Sequence, residues 1–372
     1  MNAENASEKS RRYSAVKTRF FIADLGLSFL SLVIFQFLLA RPVSEFASAS
    51  SANFYITCLI FSCAFLFFMY IIDLPLRFLS SFIVEKRFLL SNQSPGEWFL
   101  DEGKSAVLSF VVSLGCIIVF YAILRNFPDA WWVISAAGWV FFTIVLTRLM
   151  PVLLIPLFFK YKTIDDGVLK DSIMDLAKNA GVDLVDVCQI DYSRKTKKAN
   201  AALVGLGKTR KVIFTDTLID DFSLREVVSV AAHEFGHFRK KHIWQLLTFS
   251  AIVTLLGFFI LSRTAEAITS VMGASGLTDL YILPFLVLLL SIFGIILMPA
   301  QNFFSRVLER QADGFTLKLT GDADAFVSVM KKLAEMNLAD TDPSWLKKVF
   351  LYNHPPISER IRMAQEFNRD KV

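Results

Sequence analysis

Charge is scarce in this chain, and cysteine and histidine are scarcer: Asp, Glu, Lys and Arg make up 20% of 372 residues, beside four cysteines and four histidines. Soluble domains carry about 25% charge on about 45–50% apolar residues. Here 54% of residues are apolar, 37 of them phenylalanine, and the mean hydropathy is +0.51. A single globular core could not bury that much apolar surface. The composition therefore points to a membrane protein with a substantial water-facing part. It excludes a disordered chain, a collagen-like chain and a small disulfide-rich secreted scaffold. Cys58, Cys63 and Cys116 fall in apolar runs and Cys188 in an expected strand. All four read as small buried hydrophobes, with no Cys-x-x-Cys metal site and no disulfide framework. The formal net charge of +5 is scattered and lacks the basic, aromatic-interleaved patch that stacks on single strands, so nucleic acid is not an expected partner. No internal repeat or low-complexity tract is present.

Six apolar runs are long enough to cross a bilayer, which takes about 20 helical residues. They lie near 20–40, 54–79, 105–124, 131–157, 243–262 and 280–302. The polar stretches between them alternate in Lys and Arg. The N-terminal tail is basic (Lys9, Arg11, Arg12, Lys17, Arg19), as are the 80–104 loop, the segment 160–242 and the tail from 303. The other three loops hold only Arg41, Arg125 and Arg263. Positive charge marks the cytoplasmic side, so both termini and the segment 160–242 are expected there. The basic start followed by Ala47-Ser48-Ala49 resembles a cleaved secretory signal, but the first run exceeds a signal's apolar core and the small residues come late, favouring a retained anchor. Asp24, Asp73 and Arg148 lie in or at the edge of spans. Isolated charges in hydrocarbon are costly, so they are expected either as structural pairs or as the lining of a polar chamber. Pro75, Pro151 and Pro156 are expected to kink or end their helices.

The water-facing parts read as α+β. Val168, Leu169, Ile173, Leu176 and Ala177 have helical spacing over 165–180, ending before Gly181. Val185–Ile190 alternates like a strand. Ala201–Val204 and Val212–Thr215 read as a hairpin turning at Gly205-Leu206-Gly207-Lys208, after a basic loop at 193–198. Ser223, with Glu226 three residues on and Phe222 able to staple to Val227, marks a helix start. That helix can run directly into the fifth span.

It carries His233-Glu234-Phe235-Gly236-His237. On a helix, positions i and i+4 share a face, so two imidazoles at that spacing can chelate one Zn²⁺, and the Glu after the first His can take a proton from the metal-bound water. Two of the chain's four histidines fall on this motif; the others are His242 and His354. A catalytic zinc needs a third protein ligand. Five positions past His237, His242 would face another side of the helix, so carboxylates are the better candidates. After the sixth span, Glu309 and Asp313 stand one turn apart. A Glu ligand and an Asp that accepts a hydrogen bond from a ligand imidazole would suit that pair. An intramembrane protease would place the motif within a span; here it precedes one.

His233–His237, Glu309 to Asp313, Asn200-Ala201-Ala202 and His354-Pro355-Pro356 occur in one order. With Tyr13–Phe20, Pro156-Leu157-Phe158 and Phe214–Leu218, they resemble the type I CAAX prenyl protease family of integral-membrane zinc metalloproteases over nearly the whole chain. The resemblance implies one Zn²⁺ per chain on His233, His237 and Glu309, with Glu234 as general base. It implies Asp313 behind a ligand and Arg360 paired with a carboxylate near the metal. It also implies Asn200, Ala201 and Ala202 holding an extended peptide by strand addition, and His354 donating to the oxyanion. The expected fold is mainly α: a polytopic bundle of about six spans around a polar chamber, with a small α+β zinc metalloprotease domain on the cytoplasmic side. The expected divisions are 1–159, 160–242, 243–302 and 303–372. The family's eukaryotic members follow a seven-span plan, and the resemblance leads to the expectation that this chain lacks the first of those helices. The expected location is a multi-pass integral membrane one, in a bacterial inner membrane or the endoplasmic reticulum. Expected partners are the lipid bilayer and a peptide or membrane-protein substrate, lipidated in prenylated proteins. A membrane-protein quality-control or signalling-peptide protease of the same mechanism is the alternative. A catalytically silent scaffold or transporter is disfavoured by the intact motif.

Overall fold

The computed structural model describes residues 3–149, 153, 155–165, 167–205 and 210–370. Among them, six stretches are long and apolar enough to cross a membrane: Glu8–Ser50, Phe54–Arg87, Pro95–Asn126, Trp131–Leu149, His242–Met272 and Leu280–Thr320. Each coincides with a run read from the sequence, and several continue beyond the apolar stretch as water-facing turns of the same helix.

The first span is α1 (Ala3–Ile34) joined to α2 (Ala40–Ser50) by a π-helical segment, Phe35–Leu39. The segment holds Gln36 buried, and Gln36 Oε1 accepts the Phe285 N–H at 2.9 Å. That amide belongs to the start of the sixth-span helix, where an orphan donor in an apolar setting would be costly. The second span starts on an Asn53 cap as α3 (Phe54–Phe78). It passes through Pro75 without ending and continues by another π-helical segment, Leu79–Ile83, into α4 (Val84–Arg87). A reciprocal Ser94–Glu97 capping box, with proline in the first turn, opens α5 (Pro95–Asn126). The fourth span is α6 (Trp131–Leu149). Pro151 lies outside the described residues, and Pro156 stands in the one-turn helix α7 (Ile155–Phe158). The packed core of the membrane part (Phe35, Phe61, Phe65, Tyr121, Trp131, Ile282) is at one end of the bundle, remote from the water-facing part. At the opposite end, Asp73 forms a structural pair with Arg77 at 2.6 Å, which also reaches Glu102 at 3.4 Å. Arg148 stacks over the Trp244 ring at 5.4 Å, and Asp24 is exposed.

The water-facing part begins with β1 (Tyr161–Thr163), a strand not anticipated from so short a polar run, and α8 (Val168–Asn179). Three strands follow: β2 (Asp186–Ile190), β3 (Ala201–Val204) and β4 (Lys211–Thr215). The sheet order is β1-β2-β4-β3. β3 and β4 form the expected antiparallel hairpin, whereas β2 pairs with β4 in parallel. Of the turn, only Gly205 is described, at φ 90°. After α9 (Asp216–Asp221), α10 (Leu224–Arg239) starts with the expected Ser223–Glu226 capping box, and Phe222 and Val227 are both buried in the core beneath it. Lys241, left-handed at φ 57°, then breaks the chain before α11 (His242–Met272). The motif helix therefore does not run into the fifth span, as a continuous pattern would have it. α12 (Leu283–Thr320) is the sixth span and projects well past it; α13 (Ala323–Met336), α14 (Trp345–Leu351) and α15 (Ile357–Arg369) complete the fold.

Two sets of contacts fix the water-facing part to the spans. Glu85, in the first turn of α4, accepts the Tyr13 hydroxyl at 2.6 Å and meets Lys198 Nζ at 3.0 Å, two residues before Asn200. The basic loop pairs with the loop after α4 through Asn92 N–H to Lys195 O and Lys197 N–H to Leu90 O, both 2.9 Å. The site built on β3 and α10 is thereby held at a set height relative to the membrane helices.

Candidate metal centre

Helix α10 turns His233 and His237 to one side, with their Nε2 atoms 3.1 Å apart. Glu309 comes to them from α12. Its Oε2 lies 3.3 Å from His233 Nε2 and its Oε1 3.3 Å from His237 Nε2. The approach of the two helices depends on Gly236 between the histidines. A Cβ there would stand 3.2 Å from the Cα and carbonyl oxygen of Ala312. The three residues form a group able to hold a metal ion, the one such group among the described residues, with all ligand atoms within 4.8 Å of one another. Nitrogens about 2.0–2.1 Å from one zinc at tetrahedral angles are separated by about 3.3–3.4 Å. Glu309 Oε2 is moreover buried without a hydrogen-bond donor, an arrangement that a cation would satisfy and an empty pocket would not. The donor set and the orphaned oxygen fit a divalent metal.

Behind His233, Asp313 Oδ1 lies 2.9 Å from Nδ1. Arg360 grips the same carboxylate in a two-point fork, Nε to Oδ2 at 2.8 Å and a terminal nitrogen to Oδ1 at 2.5 Å. Asp313 is fully buried and Arg360 nearly so. Burial works to lower the His233 imidazole, but contact with Asp313 and Glu309 outweighs it and raises the group to about 9. The same negative field that holds a proton there favours a cation. Burial also pushes the Glu234 carboxyl up, with the two imidazoles and the Leu203 N–H pulling the other way.

Glu234, His233, Asn200, Ala201, His354 and Arg360 share a cavity of about 150 Å³. His354 is exposed. Its Nε2 reaches within 3.4 Å of Glu309 Oε1, and its Nδ1 lies 2.8 Å from Asn353 Oδ1. β3 is an edge of the sheet, paired only with β4. Two of its amides turn away from β4: Leu203 N–H toward Glu234, and Ala201 N–H to Asn200 Oδ1 at 2.9 Å. Ala202 instead sits opposite Ile213 and does not line the cavity. Nine of the ten residues singled out in the sequence thus surround one point.

His242 stays outside the three-residue group, but it does not face away from His237 as the five-residue spacing predicts. The break at Lys241 folds it back, fully buried, so that its Nδ1 lies 3.0 Å from His237 Nδ1 and its Nε2 3.2 Å from Gln311 Oε1. Two adjacent lysines after the motif gave no sign of a left-handed residue.

Comparison with known proteins agrees with this architecture. Residues 164–368 match the model of peptidase family M48, and residues 2–160 match one described as the CAAX prenyl protease N-terminal region with five membrane helices. Four candidate spans fall within that second match among the described residues. An uncharacterised metalloprotease of Bacillus subtilis (strain 168) is 28% identical over 362 residues, covering 96% of this chain and 85% of its own. CAAX prenyl protease 1 of Saccharomyces cerevisiae is 29% identical over 384 residues, covering 95% and 84% respectively. The crystal structure of Ste24p from S. mikatae superposes with a TM-score of 0.87 at 26% identity, over 98% of this chain and 90% of that one.

Proposed function

The chain belongs to peptidase family M48, and from that premise and the geometry above we propose that it is a zinc-dependent endopeptidase that cuts peptide bonds beside the membrane. The observation that carries this reading is the convergence of His233, His237 and Glu309 from two helices, with Glu234 beside them. His233, His237 and Glu309 would hold one Zn²⁺, which when bound polarises the scissile carbonyl and renders a water nucleophilic near neutral pH.

The protein's own groups do the rest. Glu234, with its carboxyl raised by burial, takes the proton of the attacking water and returns it to the departing amine. A carboxylate whose pKa lies nearer to neutrality is the better base for this transfer. His354 donates to the oxyanion of the tetrahedral intermediate, a role that its position against Glu309 supports. Asp313, gripped by Arg360, fixes the ring of His233, and His242, held by Gln311, fixes that of His237. An extended peptide adds to the free edge of β3, where Asn200 swings off its own Ala201 amide to bind the substrate backbone.

The alternation of basic loops supports a cytoplasmic location for both termini and for this site. The chain divides into a four-span membrane region (1–159), a catalytic segment (160–242), a two-span unit (243–302) and a C-terminal segment bearing the third ligand (303–372). The break between the two family matches, at 160–164, supports the first of these boundaries. The name of the yeast relative supports a prenylated protein as substrate, and the family resemblance implies that a C-terminal tripeptide is removed. The bacterial relative, named only as a metalloprotease, keeps open a membrane-protein or signalling-peptide substrate without a lipid. In either case the site chemistry is the same. The test compares Glu234→Gln with the unaltered protein for metal content and for cleavage of prenylated and unprenylated peptides, with product N-termini mapped. Zinc at one per chain with cleavage abolished is expected. Full activity in Glu234→Gln would refute the mechanism, and cleavage independent of the lipid would select the second substrate class.

A further inference from the structure

The helix that leads to His354 is built the wrong way round for water. In α14, at about 100° per residue, Trp345, Leu346, Val349 and Phe350 share one arc, with Lys347 and Lys348 opposite. Normal burial would turn the apolar arc inward. Here Trp345 is 71% exposed, Leu346 60% and Phe350 40%. The lysines point into the protein instead. Lys347 Nζ lies 3.6 Å from Asp340 and donates to Ser14 Oγ at 3.3 Å, and Lys348 pairs with Glu359.

The position of α14 says what covers that arc. Asn302 Nδ2 donates to Phe350 O at 2.7 Å, and Arg306, itself buried, donates to Lys348 O at 2.8 Å and Tyr352 O at 2.6 Å. Asn302 closes the apolar run of α12 and Arg306 stands one turn past it, so α14 is tied to the sixth span where that span leaves the hydrocarbon. Phe303, between the two tethers, is 60% exposed. The apolar arc therefore continues the lipid-facing surface of the spans. A tryptophan beside aliphatic side chains at that depth is what the interfacial layer of a bilayer accommodates.

We propose that α14 lies in the bilayer surface on the side of the metal cluster, with Trp345, Leu346 and Phe350 inserted among lipid chains, and so anchors the segment 351–354 to the membrane. This goes beyond the peptidase reading and does not depend on it, because the test reads lipid contact and not cleavage. Spin labels are placed at Leu346→Cys, Phe350→Cys and, as a water-exposed reference, Glu366→Cys, in the full chain with its four native cysteines replaced, reconstituted in phosphatidylcholine–phosphatidylglycerol nanodiscs. Labels at 346 and 350 are expected to show several-fold higher oxygen relative to nickel-chelate accessibility than the label at 366. Equal ratios at all three positions would overturn the proposal. Low access to both reagents would also overturn it, by marking burial against a second copy of the chain. A second measurement keeps the native cysteines: the fluorescence difference between the unaltered protein and Trp345→Phe. Quenching of that difference by lipids brominated near the headgroup, and not by iodide, is expected; the reverse pattern refutes it.

Discussion

Removing Asp313 tests the site most sharply, because one carboxylate serves two partners. It is fully buried, and its oxygens lie 2.5 and 2.8 Å from Arg360 and 2.9 Å from His233 Nδ1. In Asp313→Ala the guanidinium of Arg360 is left in the interior without its counter-charge, and breaking a buried pair from one side costs about 3–5 kcal/mol. His233 also loses the acceptor that sets its ring, a loss worth about 10–100-fold in metal affinity, or about 1.4–2.7 kcal/mol. The two effects are separable. Asp313→Leu combined with Arg360→Met removes both charges and is expected to recover most of the fold stability while leaving the metal weakly held. Asp313→Asn keeps the shape and is expected to fall between the extremes. Thermal unfolding with and without metal reads the first effect, and chelator competition reads the second. Metal affinity in Asp313→Ala within twofold of the unaltered protein would refute the assignment of Asp313 as the support of a ligand. A double variant no more stable than the single one would refute the buried-pair argument.

Gly236→Ala places a methyl 3.2 Å from the Ala312 backbone. It is expected to part α10 from α12 and lower metal occupancy, whereas Gly314→Ala, with nothing within 4 Å, should leave it unchanged; equal occupancy in both would contradict the close-approach argument. Metal binding should expel the proton from His233, raised to about 9 in the metal-free protein. Apparent affinity is then expected to climb about tenfold per pH unit until it levels near pH 9, and a flat profile from pH 7 to 9 in calorimetric titration would count against it. Glu226 is held down to about 2: burial opposes ionisation, but Lys332, Ser328 and the Ser223 amide overcome it. Because the folded value is depressed, its stabilisation is present above about pH 4.3 and is lost as pH falls through about 2. Lys332→Met should flatten that acid limb of the thermal-unfolding profile, and an unaltered limb would argue against the pair.

Local chemistry wrote much of this into the sequence. Apolar runs located the six candidate spans found among the described residues, because a helix satisfies its own backbone in lipid. Ser223, Glu226 and Phe222 marked the start of α10 because capping is decided within four residues. The i,i+4 spacing of His233 and His237 placed two imidazoles on one face whatever the rest of the chain did. Glu309 and Asp313 stood out by their own one-turn spacing after the sixth span, whereas Asn200, His354 and Arg360 entered by family resemblance alone.

What the sequence left open depended on contacts between segments far apart. The parallel pairing of β2 with β4 and the addition of β1 come from strands too short to announce their partners. The left-handed Lys241 interrupts a pattern that reads as continuous helix, and so carries His242 back behind His237. Gly236 is one glycine in a helix until Ala312 lies against it. Which side of α14 meets the protein is likewise set by Asp340 and Glu359, which engage its lysines and leave the tryptophan outward. Periodicity reports which residues share a face, but only the neighbouring helix decides which way that face looks.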